Sequence, residues 1–174
     1  RVELISSEFS PAAKIANRLE KLTKPAINVA ALSAPAAEGN PLPSLATGSP
    51  VLSFLDRSGL PAMPATNAQV GWDQNNLYVD FRCYEPNIDK LKNNAPKRDI
   101  GPIWDDDCVE IFISPDAAQP KKAVHYIINA GGALYDAMND GAGPEKTSWD
   151  GNAKVTVQKE ATRWVARLAI PWKD

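Results

Sequence analysis

Trp104, Asp105, Asp106, Asp107 and Glu110 fall within one short run, Trp-Asp-Asp-Asp-Cys-Val-Glu-Ile-Phe-Ile-Ser-Pro-Asp, from 104 to 116. An aromatic ring beside a carboxylate can offer one ligand both a flat apolar face and a hydrogen-bond acceptor. Asp105, Asp106 and Asp107 could supply oxygen ligands to calcium, although their spacing is not Asp-x-Asp-x-Asp-Gly with a later Glu. The plainer reading is acidic strand-start residues in water. From Cys108 to Ile113 the pattern has strand period. Val109, Ile111 and Ile113 point one way, and Cys108, Glu110 and Phe112 the other. An unpaired carboxylate is costly to bury, so the face of Glu110 is open to water or carries a partner.

Catalytic chemistry finds little support. The chain has one histidine, His125, in a predicted strand. There is no Gly-x-Ser-x-Gly nucleophile motif, no His-Glu-x-x-His, no P-loop and no Gly-x-Gly-x-x-Gly. A carboxylate pair can hydrolyse a glycoside, but Asp106 and Glu110 lie close together in one run, with no second acid placed across a cleft. The two cysteines, Cys83 and Cys108, both fall in predicted strands. They read as small buried apolar residues, or as a pair if their strands are neighbours.

The elements that must position these groups are strands. Ala68–Trp72 and Leu77–Cys83 flank Asp73-Gln74-Asn75-Asn76, a strong hairpin signal. Leu77, Val79, Phe81 and Cys83 form its apolar face, and Tyr78, Asp80, Arg82 and Tyr84 the other. Residues 85–103 form a long loop with a basic cluster, Lys90, Lys92, Lys97 and Arg98. It runs directly into Trp104, so it is expected to wall the acidic cluster. Residues 124–129 and 133–136 pair through Gly131-Gly132. A Gly-rich loop, 139–150, carries Trp149. A second hairpin joins 154–158 to 163–170, with Trp164, Ala166, Leu168 and Ile170 inward. Many strands with no convincing helix between them predict an antiparallel β-sandwich.

Residues 1–65 read differently, as a largely irregular lead-in that packs on the sandwich or links to it. Eight of the fifteen prolines precede Thr66, whereas only Phe9 and Phe54 among the aromatics do. One short helix is predicted over 12–22, with Ser10 as cap and Pro11 at its first turn. A short strand is predicted over 51–55. The 174 residues suffice for one domain with a real core. A net charge of −2 gives no reason to expect a nucleic-acid partner. No apolar run has the length to span a bilayer. The chain begins at Arg1 rather than Met, as a mature form after signal cleavage or a trimmed piece would.

The run from Trp104 to Asp116 resembles the signature of family 9 carbohydrate-binding modules, within the wider DOMON-like group of β-sandwiches. Trp72 to Phe81 looks like that family's hairpin, and Tyr84-Glu85-Pro86 like its exit. Tyr126-Ile127-Ile128-Asn129, with Gly132 and Asp136, looks like the next strand pair. Ala169-Ile170-Pro171-Trp172 looks like a late strand. The likeness covers about two thirds of the chain, from Thr66 onward. It implies an all-β sandwich of jelly-roll or immunoglobulin-like type and non-catalytic binding of polysaccharide or oligosaccharide, of β-glycan, cellulose or xylan type. Such a module would belong to a secreted, periplasmic or extracellular bacterial-type protein, alone or beside other domains of a larger polypeptide, with no required cofactor and a structural calcium as an option.

The resemblance also implies roles. Family members hold sugar between two tryptophans, and Trp104 matches the first. Glu110 matches the carboxylate that accepts from sugar hydroxyls. The family's ligand arginine falls on Ile127 here, and its second tryptophan and its closing strands have no match before the chain stops at Asp174. Arg98, near Trp104 in sequence, is a candidate donor, and Trp149 a second platform or a lid over the sandwich end. Trp104 itself reads equally as a core tryptophan. Some DOMON-like domains hold haem for electron transfer, for which His125, Met63 and Met138 would be the axial candidates. A protein-interaction domain of a larger secreted protein is the third reading, with exposed Tyr78 and Tyr84 beside Arg82 as its surface.

Overall fold

The structure is a computed structural model that describes residues 2–3, 51–56 and 58–173. Nine strands are described: β1 (Val2–Glu3), β2 (Val51–Ser53), β3 (Thr66–Trp72), β4 (Asn76–Tyr84), β5 (Cys108–Ile113), β6 (Lys122–Asn129), β7 (Leu134–Asp140), β8 (Lys154–Lys159) and β9 (Arg163–Pro171). They form two antiparallel sheets. One has the order β1-β5-β6-β7, the other β2-β3-β4-β9-β8. The helix expected over 12–22 lies outside the described residues.

Period-2 patterning explains why the sheets close on each other. Val109, Ile111, Tyr126, Ile128 and Leu134 from the first sheet meet Ala68, Val70, Leu77, Val79, Phe81, Trp164, Ala166, Leu168 and Ile170 from the second in one core. Both hairpins form where expected. In the first, Asp73 Oδ1 accepts from the N–H groups of Asn75 and Asn76, at 2.8 Å each, which fixes the turn. Two short pieces of the lead-in add edge strands: β1 pairs with β5 and β2 with β3.

Two expectations need correction. Tyr78 was expected on an open surface, but it is 3% exposed. Its hydroxyl donates to Asp73 Oδ2 at 2.8 Å, so the ring is held over its own turn. Tyr84 does stand exposed. The cysteines cannot be cross-strand partners. Cys83 lies on β4 and Cys108 on β5, in different sheets, and both are free thiols. Burial pushes both up to about 12.

Candidate functional site

The residues from 102 to 107 set the position of Trp104. Pro102 leads into a single 3-10 turn, Ile103–Asp105. Ile103 goes inward, into a small cluster with Ala95, Ile127 and Ala133, against which Cys108 and Tyr135 pack. Trp104, the next residue, faces out and is 58% exposed. Its ring meets that of Tyr135 edge-on, with centroids 6.4 Å apart and planes at 89°. An aromatic platform half open to water, backed by a second ring, suits stacking against a ligand.

Asp106 makes this turn rigid. Its Oδ1 accepts from the Asn94 N–H at 2.8 Å and from Asn94 Nδ2 at 3.0 Å. Its Oδ2 accepts from the Ala95 N–H at 2.9 Å and from Asn129 Nδ2 at 2.8 Å. Asp107 Oδ2 accepts from the Lys92 N–H at 2.7 Å. The loop before Trp104 is therefore fastened to the sheet by the acids that follow it, as expected of a wall. Burial alone would raise the Asp106 carboxyl, but the Ala95, Asn129 and Asn94 donors outweigh it and hold the group below its ordinary value.

Calcium does not fit Asp105, Asp106 and Asp107. Both oxygens of Asp106 are committed to N–H donors, and Asp107 gives an oxygen to Lys92. Three other acids, Asp99, Asp136 and Asp150, bring ligand atoms within 4.8 Å of one another. That group already holds a cation, Arg98. The guanidinium donates to Asp136 Oδ2 at 2.6 Å and to the Gly151 carbonyl at 2.7 Å, and its Nε lies 3.3 Å from Asp150 and 3.5 Å from Asp99.

Glu110 and Phe112 stand on the outer face of β5, opposite Ile127 and His125 of β6, which in turn face Tyr135 and Ala137 of β7. The carboxylate of Glu110 has the partner that burial requires. Its Oε2 lies 3.3 Å from His125 Nε2. The imidazole stacks on Phe112 with centroids 3.9 Å apart, and meets Tyr135 edge-on at 5.7 Å. Trp104, Tyr135, His125 and Phe112 thus form one aromatic strip along this face, with Glu110 beside it.

Of the four sequence candidates, Trp104 and Glu110 come to this strip. Arg98 and Trp149 belong to a different cluster, around Asp136 and Gly151. Trp149 packs edge-on against Tyr126, centroids 6.0 Å apart, and lies against the main core, as a lid would. Tyr135 and Glu145 complete the face but were not among the sequence candidates, whereas Phe112 was placed on the face of Glu110 without a role. Register is the signal that finds Tyr135, which stands across Ile127 from Glu110, whereas Glu145 lies on the connection after β7 and has no such signal. The haem geometry is not assembled. Met138 pairs with Val124, so it lies on the opposite face of the sheet from His125, and Met63 is 86% exposed.

The family model described as "Carbohydrate family 9 binding domain-like" matches residues 55–174. A structure of a proposed carbohydrate-binding protein from Bacteroides uniformis superposes with a TM-score of 0.58 at 17% identity, over 72% of this chain and 62% of that one. At that identity the likeness shows the fold alone, and the chain spans less than two thirds of that structure. A family 9 carbohydrate-binding module from Caldicellulosiruptor kristjanssonii, in complex with glucose, gives a TM-score of 0.45 at 17% identity over 63% of this chain and 51% of that one. The same organism's module with cellotriose gives 0.42 at 18%, over 63% and 50%. No curated protein matches the chain. The family is one of non-catalytic modules, and the model match covers most of this sequence: the chain belongs to the carbohydrate family 9 binding domain-like family.

Proposed function

We propose that this domain binds carbohydrate without transforming it, on the outer face of the four-stranded sheet. One observation carries the reading: Trp104 stands 58% exposed and edge-on to Tyr135, on the face where Glu110 is held. A large apolar ring left open on a rigid turn is a ready platform for the apolar face of a pyranose. Glu110, 18% exposed at its side chain, supplies an acceptor for sugar hydroxyls, as in the family pattern. The ligand class we assign is β-glycan or xylan-type oligosaccharide. The setting is a secreted, periplasmic or extracellular protein in which other domains work alongside this one.

The test is calorimetric titration with soluble cello-, xylo- and manno-oligosaccharides, each with intact and chemically reduced ends, beside a Trp104→Ala control. Saturable binding that disappears in the control supports the reading. Sensitivity to end reduction assigns the site to chain termini. A folded sample that gives no heat with any of these sugars overturns it.

A further inference from the structure

Both ring nitrogens of His125 point at carboxylates. Nε2 lies 3.3 Å from Glu110 Oε2, and Nδ1 lies 3.1 Å from Glu145 Oε2. An ionised carboxylate only accepts, and a neutral imidazole carries a single N–H. Only the imidazolium satisfies both contacts at once. The ring cannot easily turn away, because it is buried, stacked on Phe112 and met edge-on by Tyr135.

The two acids come from separate segments. Glu110 is on β5, whereas Glu145 is on the connection between β7 and β8. That connection folds back on β7, where Met138 and Lys146 exchange both backbone hydrogen bonds. One imidazolium on β6 therefore ties β5 to this connection across the sheet. Glu145 and Phe112 also line a cavity of about 320 Å³, with Lys121, Asn139, Gly141 and Gly143 among its walls. Asn139 pairs with Ala123 on the outer face, four residues along β7 from Tyr135. At about 3.3 Å per residue, that places the Asn139 wall of the cavity roughly 13 Å beyond Tyr135, with Phe112 and Glu145 as its near wall beside His125.

We propose that His125, as the imidazolium, is the positioning residue of this face: it fixes Glu110 and Glu145 as two aimed acceptors, so that an oligosaccharide is held from Trp104 toward the cavity beside Phe112. This deepens the carbohydrate reading and rests on it. The groups that face the imidazole are Glu110 from β5, the ring of Tyr135 from β7 and Glu145 from the connection. Further charges on this side are Lys146, paired with Asp140 at 2.8 Å, and Lys121 at the cavity. Burial alone would depress the imidazole, but hydrogen bonds and charge from Glu110 and Glu145 outweigh it and leave the group above its ordinary value. A raised folded value means the clamp is complete below the ordinary imidazole pKa of about 6.5 and is lost as pH rises through the folded value.

His125 is the only histidine in the chain, so its ring signals are assigned without ambiguity. The experiment follows those signals by NMR from pH 5 to 9, and measures the affinity for cellotriose, xylotriose and glucose over the same range. The expected result is a single titration above the ordinary value, with trisaccharide affinity falling about tenfold or more across it. His125→Gln binds trisaccharide weakly at every pH and shows no step. Glu145→Gln, a variant on an open connection, lowers the imidazole titration and weakens trisaccharides more than glucose. An imidazole that titrates at or below the ordinary value overturns the proposal, and so does an affinity that stays flat through the titration. If the imidazole titrates high but no sugar binds at any pH, the carbohydrate reading itself falls, and the positioning role with it.

Discussion

Asp106 and Asn129 meet side chain to side chain at 2.8 Å, in a buried contact between residues 23 apart in sequence. Asn129 Nδ2 also donates to the Ala95 carbonyl at 3.0 Å, and its Oδ1 accepts from the Ala133 N–H at 2.8 Å. The pair joins the loop before Trp104 to the β6–β7 turn. Trp104 keeps its exposed pose because the residue two places after it is anchored in this network.

Removing the anchor is therefore expected to cost more than one hydrogen bond. Asp106→Ala strands the Asn94, Ala95 and Asn129 donors, and should destabilise by about 3 kcal/mol. Urea unfolding at pH 7 measures this. The sign of the pH dependence follows from the depressed carboxyl: its stabilisation is present above the ordinary value and is lost as pH falls through the folded one. The gap between wild type and variant should narrow toward pH 2. A variant as stable as wild type at pH 7 would show that the network is idle.

Trp104→Ala should separate binding from folding. The ring is mostly open to water, so thermal unfolding should move by no more than a few degrees, corresponding to less than about 1 kcal/mol. Sugar affinity should drop tenfold or more. A large stability loss without loss of binding would mark Trp104 as structural.

Arg98→Met tests the acid cluster. Asp136 is fully buried, and Arg98 is the cation beside it. Burial raises the Asp136 carboxyl above its ordinary value, against the pull of the Gly151 N–H and of Arg98. Loss of the guanidinium should destabilise by about 3 kcal/mol at pH 7. A carboxyl with a raised folded pKa adds stability only in its protonated form, so the deficit should shrink as pH falls toward 5. A deficit that grows on acidification would contradict this assignment.

Gly151→Ala should destabilise although the change adds a single methyl. A Cβ there would lie 2.7 Å from Trp149 Cη2 and 2.7 Å from the Tyr126 hydroxyl. Overpacking of this kind costs about 1–3 kcal/mol. Trp149 fluorescence should shift as the ring is pushed from Tyr126. Wild-type stability with an unchanged spectrum would mean that the lid yields freely.

Thiol chemistry reports on closure of the fold. Both cysteines are pushed up to about 12 by burial, so few thiolates exist at pH 8. A thiol-specific reagent should label neither Cys83 nor Cys108 within minutes in buffer, and both in denaturant. Rapid labelling of the folded protein would place one of them on an accessible surface.

Much of the fold was legible in the residue order. Both hairpins, the inward set Trp164, Ala166, Leu168 and Ile170, and the alternation around Glu110 follow from period-2 patterning and turn residues, which are local. Trp104 and Glu110 were visible for the same reason, because they sit on one run with a clear period. The partners of that run were not. Tyr135 reaches Trp104, and Glu145 reaches His125, only through strand register and a connection that folds back on β7. Sequence spacing carries no record of such non-local pairing. Arg98 and Trp149 look like site residues because they are near Trp104 in the chain or sit in a glycine-rich loop. Tertiary packing commits them instead to Asp136 and Tyr126, since a fully buried carboxylate needs a cation and a large ring gains most where it covers a core. The sequence alone thus determined the hairpins and the placing of two candidates, Trp104 and Glu110, on one run, through local periodicity. Which side chains converge on those two candidates was decided only when the strands paired, because that depends on contacts between segments that are far apart in the chain.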